Sequence, residues 1–297
     1  MTTGSARIGA IGPTERRMER WLKFRPYPLE ARRTISLPGA RYEVVLLRFR
    51  GLLGLTQPTT HVKVRVPDTW LPLARTYSVV SPADADGYFE IAVKVLPGGR
   101  ASPFLQALPL GANGLFARTH TKQLLAPLDV PGRHLALVAF GIGVTECILT
   151  ARRAAAAGQH VGLVYALATS LDAVYLEELA ALAAEYPPGA DAAGQGSFAL
   201  TVLVSREEPA DVLRTLVAKA VEAGRGPAAA LHLRRGRVDT ASLADAFGAP
   251  AWRDATRAGY CAVMVVGNRS QRRSTSAQLS ALGLSQPLLG APILWES

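Results

Sequence analysis

Cysteine is scarce in this chain, with only Cys147 and Cys261 among 297 residues. An iron–sulfur cluster takes about four thiolates, and a disulfide framework takes several pairs, so neither is expected. Both cysteines lie in apolar runs, where a thiol packs as a small hydrophobe. The five histidines (His61, His120, His134, His160, His232) show no His-x-x-x-His spacing, and no Cys-x-x-Cys occurs, so no metal site is expected. No apolar run approaches the ~20 residues that span a bilayer. Leu135 to Phe140, for example, has the length of a strand. Arg7, Arg16 and Arg17 are not followed by an apolar stretch, so a secretory signal is not expected and the cytoplasm is the expected compartment. Acidic residues are outnumbered, 23 against 33 Lys and Arg, giving a net charge of +10. That balance suits an anionic surface or an acidic partner protein. The arginines are dispersed and no nucleic-acid-binding motif accompanies them, so nucleic acid is not an expected ligand. A nucleophilic Ser-His-Asp arrangement is not readable, and Ser78 lacks a nucleophile-elbow context.

The chain is 49% hydrophobic and 19% charged, a globular composition. Its length suits about two domains. Residues 1–36 read as a basic N-terminal extension, interrupted by Pro26 and Pro28. Residues 37–130 read as short strands. Tyr42–Phe49 is rich in Val and Leu, while His61–Val66 and Tyr88–Val95 alternate apolar with polar residues. Gly, Pro and Asp clusters separate them, which predicts an antiparallel barrel. Residues 131–297 change grammar. Leu135–Phe140, Val161–Ala166, Phe198–Val204, Ala229–Leu233 and Cys261–Val266 read as strands, the first two buried on both faces. Thr145–Ala157, Leu171–Tyr186, Asp211–Ala223 and Ser274–Leu282 read as helices. Strands alternating with helices predict a doubly wound parallel sheet.

Two segments of the first half have chemistry suited to a flavin nucleotide. The first is Arg75-Thr76-Tyr77-Ser78. Arginine offers a fork of donors to a phosphate. A tyrosine ring packs on a flat heterocycle. A small hydroxyl beside that ring can hydrogen-bond N5 or O4 without blocking hydride delivery. The second is Pro97-Gly98-Gly99-Arg100-Ala101-Ser102, where a glycine turn opens a helix. Its backbone N–H groups and positive dipole end face an anion, and Ser102 adds a donor. Between them runs the strand Ile91-Ala92-Val93-Lys94. In this order the stretch Arg75 to Leu105 resembles the flavin domain of the ferredoxin-reductase superfamily, the phthalate-dioxygenase-reductase branch in particular. The resemblance implies flavin contacts from Arg75, Thr76, Tyr77, Ser78, Ala92, Val93, Lys94, Gly98, Gly99, Arg100, Ala101 and Ser102, with Ser78 nearest N5. The Pro-Gly-Gly-x-x-Ser form resembles FAD-binding members, and the dioxygenase reductases use FMN. FAD is the expected cofactor and FMN the alternative.

In the second half Leu135–Phe140 leads into Gly141-Ile142-Gly143-Val144-Thr145. Strand, glycine turn and helix form the context of a dinucleotide-binding loop. This turn resembles the Gly-Ile-Gly-Ile-Thr-Pro turn of the same superfamily, which implies nicotinamide-dinucleotide contacts from Gly141, Gly143, Val144 and Thr145. Two departures stand out. Glu146 replaces the usual Pro; a carboxylate there suits the helix dipole but repels a pyrophosphate. Val266-Gly267-Asn268 replaces Cys-Gly-Pro, retaining only Gly267. Selection between NADH and NADPH is expected at Ala168-Thr169-Ser170 or Ser205-Arg206. Trp295, near the chain's end, would stack on the flavin as a terminal aromatic does in some ferredoxin–NADP reductases.

The expected activity is transfer of electrons from NADH or NADPH through a bound flavin to a separate acceptor. The dioxygenase reductases carry an iron–sulfur domain, and this chain lacks the cysteines for one. The acceptor is therefore expected to be a separate protein, acidic given the basic surface, or a small molecule. The alternatives are a ferric-siderophore or ferric-chelate reductase, and a non-catalytic reductase-like subunit of a larger complex.

Overall fold

The computed structural model describes residues 24–51, 60–66, 73–81, 85–118, 127–188, 195–208, 211, 213–215, 218, 231–284 and 287. The first domain holds β1 (Arg25–Thr34), β2 (Val44–Arg50), β3 (His61–Val66), β4 (Leu73–Ser78), β5 (Tyr88–Lys94) and β6 (Asn113–Arg118). A short helix, α1 (Ala101–Ala107), lies between β5 and β6. The strands form one six-stranded sheet in the order β4-β3-β6-β1-β2-β5, with antiparallel pairing throughout. The sheet rolls until its two edges touch at one end. There Val79 bridges Ile91, and Val80 N–H donates to Glu90 O at 2.9 Å. It is barrel-like and not closed along its length. Phe49, Phe89 and Phe116 fill the interior, with ring centroids 4.5 to 5.5 Å apart.

Strand β1 begins inside the stretch read from sequence as an extension. Pro26 and Pro28 are strand residues, registered against Leu115 and Asn113 of β6. Proline is tolerated because each half of β1 has its own partner. Residues 25–28 pair with β6, and residues 29–34 pair with β2 after a bulge between Leu29 and Ala31. A strand paired on one side does not need every N–H in a ladder. Tyr27 then turns inward, edge-on to Phe89 at 5.3 Å.

The second domain holds β7 (His134–Phe140), α2 (Val144–Ala156), β8 (His160–Leu167), α3 (Leu176–Glu185), β9 (Ser197–Val204), β10 (Leu231–Arg235), α4 (Thr240–Phe247), α5 (Pro250–Arg257), β11 (Cys261–Val266) and α6 (Arg269–Ala281). The five strands are parallel, in the order β10-β9-β8-β7-β11. Helices α2 and α3 pack on one face of the sheet, and α4 and α6 on the other. Burial on both faces explains the unbroken apolar run of β7. The chain reverses its winding between β7 and β11, so the crevice outside those strand ends is the natural ligand site.

Several boundaries differ from the sequence reading. Helix α3 starts at Leu176, after a turn in which Thr169 and Asp172 cap each other and Tyr175 adopts φ +58°. Helix α6 starts at Arg269, because Asn268 Oδ1 accepts the Gln271 N–H at 2.9 Å and caps it. Strand β6 and helices α4 and α5 were not foreseen. The expected helix over residues 211–223 lies largely outside the described residues, as does Trp295. The two domains share an apolar interface in which Val44, Leu46, Val80 and Ala92 of the barrel join the core under α2 and α3. Among the described residues, no helix is long and apolar enough to cross a membrane.

Candidate active site

Strand β4 carries the first motif on an edge of the barrel. Arg75 and Tyr77 stand opposite Val64 and Val62 of β3, and Thr76 and Ser78 stand opposite Lys63 and His61. Directly opposed residues leave a sheet on the same side, so Arg75 and Tyr77 share one face and Thr76 and Ser78 the other. Tyr77 packs against the barrel core. Burial pushes its phenol up to about 12, and the neighbouring Arg75 guanidinium opposes that rise. Arg75 and Thr76 are exposed.

The second motif follows β5. Val93 is in the barrel core, Ala92 lies at the domain interface, and Lys94 sits 4.3 Å over the Tyr42 ring. Gly98 takes φ +75°, a conformation that favours glycine, and Gly99 N–H donates to Leu96 O at 2.9 Å. Helix α1 then begins at Ala101 with no side-chain cap and no acidic residue in its first turn. Ser102 is buried, and its Oγ accepts the Leu96 N–H at 3.1 Å. Its oxygen thereby pins the glycine turn, and its O–H proton stays available to donate. The exposed Arg75 guanidinium and the uncapped start of α1 are donors of the kind that suit a flavin nucleotide's phosphates.

The third motif follows β7. Residues Gly141–Gly143 form a single 3₁₀ turn, and α2 starts at Val144. Thr145 Oγ1 donates to Ile142 O at 2.9 Å, so this hydroxyl holds the turn. A Cβ on Gly143 would lie 2.9 Å from Val266 Cγ1, which shows how closely the turn approaches the end of β11. Val266 fills that contact. Gly267 abuts the Phe140 ring, and Asn268 is spent on capping α6. Both departures thus have structural uses in this chain. Glu146 does not face the turn's anion position. Its buried carboxylate Oε2 lies 3.4 Å from His61 Nε2 of the barrel.

A cleft of about 970 Å³ opens between the domains at the carboxyl ends of the parallel strands. Tyr42, Lys94 and Leu96 form its barrel wall, and Phe140, Gly141 and Ile142 its floor. Of the residues expected to select between the nicotinamide nucleotides, Ala168, Ser205 and Arg206 line the far side of the cleft, where Arg237 joins them, and Thr169 and Ser170 do not line it. Arg237 follows β10 and read in sequence only as part of a basic run. Asp172 is the one carboxylate among the lining residues. It is held inward, its Oδ2 accepting the Thr169 N–H at 3.2 Å and hydroxyl at 3.0 Å. Glu207 next door accepts the Ser170 N–H at 2.7 Å. The cleft therefore offers cations to an anionic dinucleotide. Residues Arg75 to Ser78 and Gly98 to Ser102 are not among those lining it.

Residues 26–116 match the family model for the oxidoreductase FAD-binding domain. The described residues share the fold of solved ferredoxin–NADP reductase and cytochrome b5 reductase structures. A ferredoxin–NADP+ reductase from Neisseria gonorrhoeae with bound FAD and NADP superposes with a TM-score of 0.62 at 17% identity, over 88% of this chain and 92% of that one. The cytochrome b5 reductase domain of Ulva prolifera nitrate reductase gives 0.61 at 18% identity, over 90% and 96%. By sequence, NADH-cytochrome b5 reductase 1 of Pyricularia oryzae is 28% identical over 173 residues, 55% of each chain. Ferredoxin–NADP reductase B of Sorangium cellulosum is 30% identical over 167 residues, 52% of this chain and 65% of that one. The chain spans about half the length of the first curated relatives it matches.

Proposed function

We propose that the chain is an FAD-dependent oxidoreductase that takes hydride from NADPH and passes electrons to a separate acceptor. The observation that carries this reading is the interdomain cleft. It joins Lys94 and Leu96, which lead into the flavin-motif turn, to the Gly141–Ile142 dinucleotide turn. Bound FAD would supply the redox chemistry, accepting hydride and releasing electrons. The protein's part is placement. Arg75 and the first turn of α1 hold the phosphates, Tyr77 offers its ring, and Ser78 presents a hydroxyl at the end of β4. Gly141 to Thr145 receive the donor's pyrophosphate at the start of α2.

NADPH is favoured over NADH by the charges at the far wall. Arg206 and Arg237 with Ser205 suit a 2′-phosphate. The nearby carboxylates that could serve a free ribose diol, Asp172 and Glu207, already accept backbone N–H groups. The acceptor is an acidic electron-carrier protein, a reading supported by the net charge of +10. Cys147 and Cys261 are buried and not joined in a disulfide, which is consistent with a reducing, cytoplasmic setting.

The test is reduction of an artificial one-electron acceptor by the FAD-loaded protein with each nicotinamide. Turnover with a higher kcat/KM for NADPH supports the reading. Turnover confined to NADH refutes the donor assignment, and no turnover with either refutes the activity.

A further inference from the structure

Glu146 stands in the first turn of α2, directly after the dinucleotide turn. Its partner His61 is on β3, in register with Ser78 of β4. Their side chains are 7% and 10% exposed, with Oε2 and Nε2 3.4 Å apart. One buried contact therefore ties the strand end bearing Ser78 to the helix that opens at Gly141–Gly143. An exposed pair would contribute little. A buried polar contact, by contrast, is costly to break, because its groups are then held out of water without that partner. Thr145 and Thr150 bond carbonyls of their own segment, and Lys63 lies two residues along β3, itself buried. The proline that the family carries at this position could not make the contact.

We propose that Glu146 is a positioning residue: through His61 it fixes the separation between the Ser78 end of β4 and the Gly141–Gly143 turn, and with it the approach of the two bound nucleotides. The inference rests on the assignment of those two half-sites given above. Hydride transfer needs reacting atoms about 3–3.5 Å apart, and a misplacement of ~1 Å can cost ~100-fold. Loss of Glu146 should therefore slow the transfer step and leave the binding of either nucleotide nearly intact.

The experiment uses the full chain in five forms: wild type, E146Q, E146D, H61N and E146Q/H61N. Each is loaded with FAD and mixed anaerobically with NADPH in a stopped-flow instrument. E146Q and H61N should retain FAD and an unchanged KM while the single-turnover rate falls at least about tenfold. E146D should recover much of the rate. The double variant should be no slower than the slower single one, since both substitutions remove one contact. A second readout needs no activity: in the FAD-free chain, amide hydrogen exchange in the first turn of α2 and in β3 should accelerate in both single variants. Unchanged rates and exchange in E146Q and H61N, or effects that add in the double variant, would overturn the proposal. Failure of the functional reading would show differently, as wild type that NADPH does not reduce, and the exchange measurement then decides the contact alone. If E146Q does not fold, H61N breaks the same contact from the barrel side and is read the same way.

Discussion

Gly143 and Val266 meet so closely that a Cβ on Gly143 would lie 3.0 Å from the Val266 carbonyl oxygen as well as 2.9 Å from its Cγ1. The dinucleotide turn and the end of β11 are therefore one unit. Gly143→Ala must push the turn away from β11 or distort the strand. Overpacking of this kind costs roughly 1–3 kcal/mol of stability. KM for the nicotinamide nucleotide should rise by about tenfold or more with FAD retained, because a displacement of ~1 Å at such a site has effects of that size or larger. Thermal unfolding and steady-state kinetics on one preparation check both parts.

Arg206→Ala and Arg237→Ala each remove a cation from the far wall of the cleft. A hydrogen bond to a charged group contributes about 1.5–3 kcal/mol, so kcat/KM for NADPH should fall roughly 10- to 100-fold in each variant. NADH should be little affected. Equal losses with both nucleotides would show that these arginines do not read the 2′-phosphate.

Ser78→Ala removes a hydroxyl from the end of β4 while leaving the β3–β4 register untouched. The loss of one neutral hydrogen bond, about 0.5–1.5 kcal/mol, predicts flavin reduction slower by roughly three- to tenfold. FAD content should not change. Rapid-mixing absorbance measurements separate the two quantities.

His134 gives the fold an acid limit. Burial, reinforced by the neighbouring His160, holds its imidazole down at about 4 from an ordinary 6.5, against a backbone hydrogen bond with Gly132 that favours the charged ring. The Trp252 and His160 rings each lie with centroids 4.9 Å away. The unfolded chain binds this proton at a higher pH than the folded chain does. The contribution of neutral His134 is thus complete above pH 6.5 and is lost as pH falls toward 4. The melting temperature should decline across that window, and His134→Gln should flatten the decline. A wild-type profile that stays level from 6.5 to 4 would contradict this.

Much of the fold was legible where a pattern is local. The run Leu135–Phe140 followed by glycine announced strand, turn and helix, because burial on both faces and a phosphate-facing turn each leave a short-range mark. Strand β1 was not legible, since Pro26 and Pro28 read as breakers until their one-sided pairing with β6 is known. At the site, Glu146 was visible as a departure. Its meaning was not, because His61 lies far away in sequence and reaches it only through domain packing. Arg237 was hidden for a similar reason: a run of arginines after β10 does not reveal which member turns into the cleft.

The central claim is that one chain binds FAD and lets a nicotinamide nucleotide reduce it. The direct measurement is the visible spectrum of the FAD-loaded protein under anaerobic conditions, before and after one equivalent of NADPH. Flavin absorbance bands should persist through gel filtration and bleach within the mixing experiment. Bands that stay unbleached with NADPH and with NADH, or a protein that emerges from the column without flavin, would contradict it.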